Sequence, residues 1–207
     1  LDTDATRGLL GLFLADGHLH RIRTPTRYRI RASLEGGEGE IDFLEEKAAE
    51  IRRYIPTNAA IGRYQTSCRE NGRRTTVCRL RITSDDLQSI YNLLYPRGRR
   101  QITPPVLELL GGRAAAWLWA ENAKPLKNGG FILKRVGGSD PEALLVSTWL
   151  RLLTGAPSEP CEQDPQQRLR QKPRLLFERQ QAIHLQTALL PYAPASRRGL
   201  FLPGAGS

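Results

Sequence analysis

The chain has 207 residues, of which 40% are hydrophobic and 25% charged, a balance that supports a packed core and excludes extensive disorder. Lys and Arg total 31 against 21 acidic residues, a net charge of +10, which points to a polyanionic partner, nucleic acid first. Cys68, Cys78 and Cys161 are too few and too badly spaced for a zinc site or a disulfide framework, and no apolar run reaches membrane-spanning length.

These features describe a soluble protein with reduced thiols and no membrane partner. The N-terminus lacks the charged-then-apolar order of a signal peptide, so the expected setting is intracellular: cytoplasm or nucleoid in a bacterium, an organelle in a eukaryote. The chain starts at Leu1 and contains no Met, which is read as a trimmed beginning. Of its 31 cations 26 are Arg, the side chain that forks onto phosphates and guanine edges.

Residues 6–17, TRGLLGLFLADG, predict a buried helix with Gly11 and Ala15 four apart, stopped sharply by Asp16 and Gly17. A strand follows over 27–36. In it Arg27, Arg29, Arg31 and Ser33 alternate with Tyr28, Ile30, Ala32 and Leu34, the pattern of a sheet that packs below and presents cations above. A helix near 42–55 is expected to bury Leu44, Ala48, Ile51 and Ile55. Two strands near 59–69 and 73–83 repeat the alternation with Arg63, Gln65, Ser67 and Arg69 on one and Arg79 and Arg81 on the other. These side chains suit base edges and phosphates in a major groove. A helix over 86–96 closes the half.

After a connection at 97–112 the layout returns. In GGRAAAWLWAEN, Ala116 and Ala120 stand where Gly11 and Ala15 stood, and Glu121 stands where Asp16 stood. A strand at 129–138 adds Lys134 and Arg135, and a helix near 141–153 is expected to bury Leu144, Leu145, Thr148 and Leu152. Strands near 159–165 and 168–178 carry Arg168, Arg170 and Arg174, and a helix at 181–192 ends the half. Trp117, Trp119 and Trp149 read as core aromatics, and the tail as loose at its end.

The fold class expected is α+β: tandem pseudo-two-fold αββαββα repeats, 1–103 and 104–207, with two antiparallel sheets. Small residues four apart let two helix backbones approach closely, so the two small-residue helices are expected to pack on each other and bring Asp16 and Glu121 together. Acids at a helix C-terminus oppose the macrodipole. A divalent cation bound by hard oxygen ligands would compensate and would activate water for phosphodiester cleavage.

The segment LLGLFLADGHL resembles the first LAGLIDADG motif, ITPPVLELLGGRAAAWLWAENAK is similar to the second motif of the single-chain LAGLIDADG DNA endonucleases, and LLPYAPASRRGLF is similar to the C-terminal end of that family. The resemblance implies a monomeric homing endonuclease whose sheets form a DNA-binding saddle and which makes a double-strand break in a long duplex site, supporting intron or intein mobility. It implies Mg2+ as cofactor, with Ca2+ or Mn2+ able to substitute in binding, and carries the metal-binding acid of each motif onto Asp16 and Glu121. Supporting basic or amide groups near the acids fall on Lys134, Arg179 and Gln180. Glu121 replaces the usual Asp, Asn122 the usual Gly, and no Gln stands near Val136, which implies a weakened second cutting site. The alternative is a non-cleaving binder on the same scaffold, a DNA-binding regulator or an RNA maturase, which would tolerate loss of the acids.

Overall fold

The computed structural model describes residues 2–67, 74–161 and 173–202. Contacts divide the chain into two units, Leu1–Asn92 and Leu93–Ser207, with the division inside a helix.

In the first unit α1 (Thr3–Ala15) starts at Asp2, whose side chain accepts from the Ala5 N–H at 2.8 Å, supplying one of the bonds that first-turn donors lack within the helix. Every residue from Leu9 to Ala15 is buried, as expected of a helix that is apolar all round. It approaches α2 (Ile41–Tyr54) closely at Gly8, where a Cβ would stand 2.7 Å from the Tyr54 ring. Between these helices run β1 (His18–Arg23) and β2 (Tyr28–Gly37); β3 (Ile61–Ser67) and β4 (Arg74–Ser84) follow α2, and α3 (Gln88–Leu94) carries the unit boundary.

The four strands form one antiparallel sheet in the order β1-β2-β4-β3. Alternation divides its faces: Leu19, Ile30, Ala32, Leu34, Cys78, Leu80 and Ile82 are buried, and α2 packs on β2 and β4 through a stripe containing Phe43, Leu44, Ala48 and Ile51. Leu44, Ala48, Ile51 and Ile55 are all buried as their spacing predicts. Fully burying a Leu or Ile side chain contributes roughly 1.5–3 kcal/mol, so this stripe fixes which face of the sheet remains open.

The second unit repeats the order with shorter strands. A short helix, α4 (Pro104–Glu108), lies in the segment read from sequence as a connection; Pro104 fixes its first turn and Val106 and Leu107 are buried. Then come α5 (Gly112–Asn122), β5 (Ala123–Pro125), β6 (Phe131–Lys134), α6 (Asp140–Thr154), β7 (Glu159–Pro160), β8 (Arg174–Phe177) and α7 (Arg179–Leu189). The sheet order β5-β6-β8-β7 is again antiparallel throughout. Trp119 fills the core, 5.1 Å from the Phe131 ring and edge-on to Phe177 at 5.4 Å, and all three tryptophans are buried as predicted.

The face of α6 differs from the expectation. Its buried residues are Ala143, Val146, Ser147, Trp149, Leu150 and Thr154, whereas Leu144 and Leu152 are 57% and 81% exposed and Thr148 is exposed. Apolar residues occupy two sides of this helix, and the side holding the largest ring, Trp149, is the one that packs inward. Among the described residues, no helix is long and apolar enough to cross a membrane.

Candidate active site and nucleic-acid interface

Asp16 terminates α1. Its backbone is extended (φ −148°, ψ 170°) and its N–H donates to the Leu12 carbonyl at 3.0 Å. Gly17 then takes φ +89°, in the left-handed region, and a Cβ there would stand 2.9 Å from Leu34 Cδ2 and 3.1 Å from Phe13 Cδ1. Glycine is therefore required twice over, by conformation and by space. The turn delivers the chain directly into β1, so Asp16 lies beside the first residues of the sheet.

A residue missed in the sequence lies against Asp16. Lys47 Nζ is 2.7 Å from Asp16 Oδ2, with side chains 4% and 20% exposed respectively, and the ammonium also lies 4.4 Å over the Phe43 ring. The signal was present: Lys47 interrupts the apolar stripe of α2 between Leu44 and Ala48, a position where a cation is buried only if paired.

Glu121 has a different setting. It lies within the last turn of α5, half-buried, and the residue at the glycine position, Asn122, stays helical and buried, its side-chain amide donating to the Leu118 carbonyl at 3.4 Å. The helix ends one residue later, at Ala123. Gly11, Ala15, Ala116 and Ala120 are all buried.

The open face of the first sheet is cationic. Arg29, Arg31 and Ser33 of β2 pair in register with Ile22, His20 and His18 of β1, and Ser33 and Arg31 pair with Arg81 and Thr83 of β4. Asp85 holds Arg27 at 2.6 Å and Arg29 at 3.1 Å, Arg31 donates to Thr83 Oγ1 at 3.4 Å, and Glu35 pairs with Arg79. Arg79 and Arg81 lie over the Tyr64 ring, with guanidinium carbons 5.4 and 5.9 Å from its centroid. The rings of His18 and His20 lie 5.4 Å apart. Burial first, then the neighbouring His18, Arg31 and Arg81, lowers the pKa of His20.

The register corrects one expectation. Arg63 pairs with Cys78 and Gln65 with Thr76, to whose hydroxyl Gln65 donates at 3.1 Å. Directly paired residues share a face, so Arg63, Gln65 and the strand position of Ser67 lie on the opposite face from Arg79 and Arg81, while Gly62, Tyr64 and Thr66 join them. Arg27 precedes β2 in the hairpin turn. Cys68, Arg69, Arg168 and Arg170 lie outside the described residues, as does the end of the tail.

In the second sheet Lys134 pairs with Arg174, and Ile132 with Leu176 and Lys124, so the open face mixes cations with apolar side chains. Arg135 falls just beyond β6 with φ +59°, exposed, and Val136 is fully buried. Arg179 and Gln180 begin α7, exposed, with the Arg179 stem against Gly129 in the β5–β6 turn.

No family model matches the chain, and no curated protein sequence does. Solved structures match. One is the homing endonuclease I-WcaI bound to its DNA recognition sequence, with a TM-score of 0.77 at 12% identity over 98% of this chain and 87% of that one. Others are I-DmoI in complex with DNA and Mn (0.57, 16%, 90% and 97%) and the LAGLIDADG meganuclease I-AabMI bound to uncleaved DNA (0.53, 10%, 95% and 87%). The fold is that of the LAGLIDADG homing endonucleases.

Within the LAGLIDADG fold of this chain, Asp16 and Glu121 occupy the C-terminal ends of α1 and α5. Among the described residues no three His, Cys, Asp or Glu side chains cluster as a metal cage. A Mg2+ ion takes one or two carboxylates and completes its shell with water and substrate phosphate, so a single carboxylate such as that of Asp16 is a ligand type it accepts. A carboxylate beside the terminal carbonyls of a helix supplies the hard oxygen such an ion prefers.

Proposed function

We propose that the chain is a site-specific endonuclease that makes a Mg2+-dependent double-strand break in a long duplex DNA site, acting as a monomer on intracellular DNA and serving the mobility of an intron or intein. The observation that carries this reading is the Gly17 turn, which passes the chain from Asp16 directly into the sheet whose open face carries Arg29, Arg31, Arg79 and Arg81. A DNA phosphate brought to that face would meet an acid at its edge.

Asp16 in the first unit and Glu121 in the second would each offer a carboxylate to a divalent cation, which when bound supplies an activated water and stabilises the leaving oxygen. The remaining work belongs to the protein. Arg31 and Arg81 engage phosphates or guanine edges, and His18, His20 and Ser33 offer hydrogen bonds between them. Ion pairs to Asp85 and Glu35 hold Arg27, Arg29 and Arg79 extended before DNA arrives, so less side-chain entropy is lost on binding. Lys134 and Arg174 supply the corresponding cations in the second unit.

The test is incubation with a randomised duplex library and Mg2+, followed by sequencing of the cut ends. A recurrent long site, cut by wild type but not by Asp16→Asn or Glu121→Gln, is the expected result. Absence of any enriched cut site would overturn the reading.

A further inference from the structure

A lysine inside an apolar helix stripe needs a reason. Lys47 is 3% exposed, the other buried residues of α2 are Phe43, Leu44, Ala48, Glu50 and Ile51, and its ammonium is directed at Asp16 Oδ2. The rest of Asp16 is fixed from other sides: its N–H is bonded to Leu12 and the left-handed Gly17 sets the exit of the chain. Asp16 Oδ1 has no hydrogen-bond partner among the described residues. An aspartate has few rotatable bonds, so engaging one carboxylate oxygen fixes the direction of the other.

We propose that Lys47 is a positioning residue that holds Asp16 by Oδ2 and so commits Oδ1 to a divalent cation; the inference rests on the endonuclease reading above. The arrangement has two opposed consequences. It pre-orients the carboxylate, which favours reaction geometry, and it places a positive charge beside a cation site, which weakens metal affinity. In the second unit the burial pattern of α6 puts Val146 where α2 has Lys47.

A lysine that only stabilised the fold would not separate metal affinity from rate. The full chain is prepared as wild type, Lys47→Met and Lys47→Arg, bound to the duplex recovered from the library. Mn2+ binding to each complex is followed by the electron paramagnetic resonance of free Mn2+, with single-turnover cutting and DNA affinity in Ca2+ measured alongside.

For Lys47→Met the half-saturating Mn2+ concentration is expected to fall roughly threefold or more as the competing charge is removed. Cutting at saturating Mn2+ should slow roughly tenfold or more as the carboxylate loses its orientation, with DNA affinity in Ca2+ unchanged. A folded Lys47→Met variant with the wild-type Mn2+ midpoint overturns the proposal even if its rate falls. If Lys47→Met does not fold, Lys47→Arg carries the test: it keeps the charge but moves the donor, so slowed cutting at unchanged DNA affinity supports positioning and wild-type cutting overturns it. A wild-type protein that binds no Mn2+ and cuts nothing overturns the endonuclease reading and this inference together, whereas a competent wild type beside an unaffected variant overturns this inference alone.

Discussion

The two units use the same order of elements but finish their leading helices differently. In the first, the acid caps the helix, a left-handed glycine follows, and a buried lysine from α2 grips the carboxylate. In the second, the acid remains in the helical turn, a buried asparagine follows, and a valine stands in the matching position of α6. The open sheet faces differ too: the first gathers Arg29, Arg31, Arg79 and Arg81, while the second mixes Lys124, Lys134 and Arg174 with Ile132 and Leu176. A repeat can therefore conserve the scaffold while the electrostatics around each acid diverge, and substitutions at matched positions should have unequal effects.

The largest inequality is expected in stability. Asp16→Asn removes a carboxylate partner 2.7 Å from the buried Lys47, a type of change that costs roughly 3–5 kcal/mol for a fully buried pair and somewhat less where, as here, one partner keeps some solvent. α6 carries Val146 at the position matching Lys47, and Glu121→Gln should cost less. Denaturant unfolding of both variants measures the difference, and equal losses would break the comparison. Asp16→Asn combined with Lys47→Met should recover part of the loss, because the buried ammonium is then removed together with its carboxylate.

Gly17→Ala comes next. A side chain in the left-handed region costs on the order of 1–2 kcal/mol, and contact with Leu34 adds to it. A variant that melts with wild type would show that this turn relaxes freely.

On the binding surface, Arg81→Ala should weaken a cognate duplex by roughly 1–3 kcal/mol if the side chain reads a base; if it holds a phosphate, all sequences weaken alike and the salt dependence becomes shallower. Arg63→Ala, on the other side of the same sheet, should leave base preference unchanged. Equal effects from the two would mean that the face carrying Arg81 is not the DNA-reading face.

The smallest effect concerns His20. Its pKa in the folded protein is lowered, so the unfolded chain binds the proton more readily, and stability should fall as pH drops below about 6.5. His20→Asn should flatten this part of the profile. Melting temperatures followed from about pH 8 to about pH 5 test the sign.

The fold was legible because local signals agreed. The alternation through Arg29, Arg31 and Ser33, the stripe on α2 and the Asp16–Gly17 stop each identify an element and its buried side. Other features depended on tertiary contacts. The two-sided apolar pattern of α6 does not say which side meets the core until Trp149 is placed. The face of Arg63 depends on the β3–β4 register, since a shift of one residue exchanges the faces. Lys47 was visible as an oddity in an apolar stripe, but its partner lies 31 positions earlier in the chain, beyond the reach of helical spacing.

The most direct measurement of the central claim is a time course on a supercoiled plasmid carrying the recovered site. With Mg2+ present, a nicked form should accumulate before the linear one, because the clamped Asp16 and the differently placed Glu121 are expected to serve their strands at unequal rates. Asp16→Asn and Glu121→Gln should each leave the plasmid without double-strand breaks. Plasmid linearised by both variants as fast as by wild type would contradict the account.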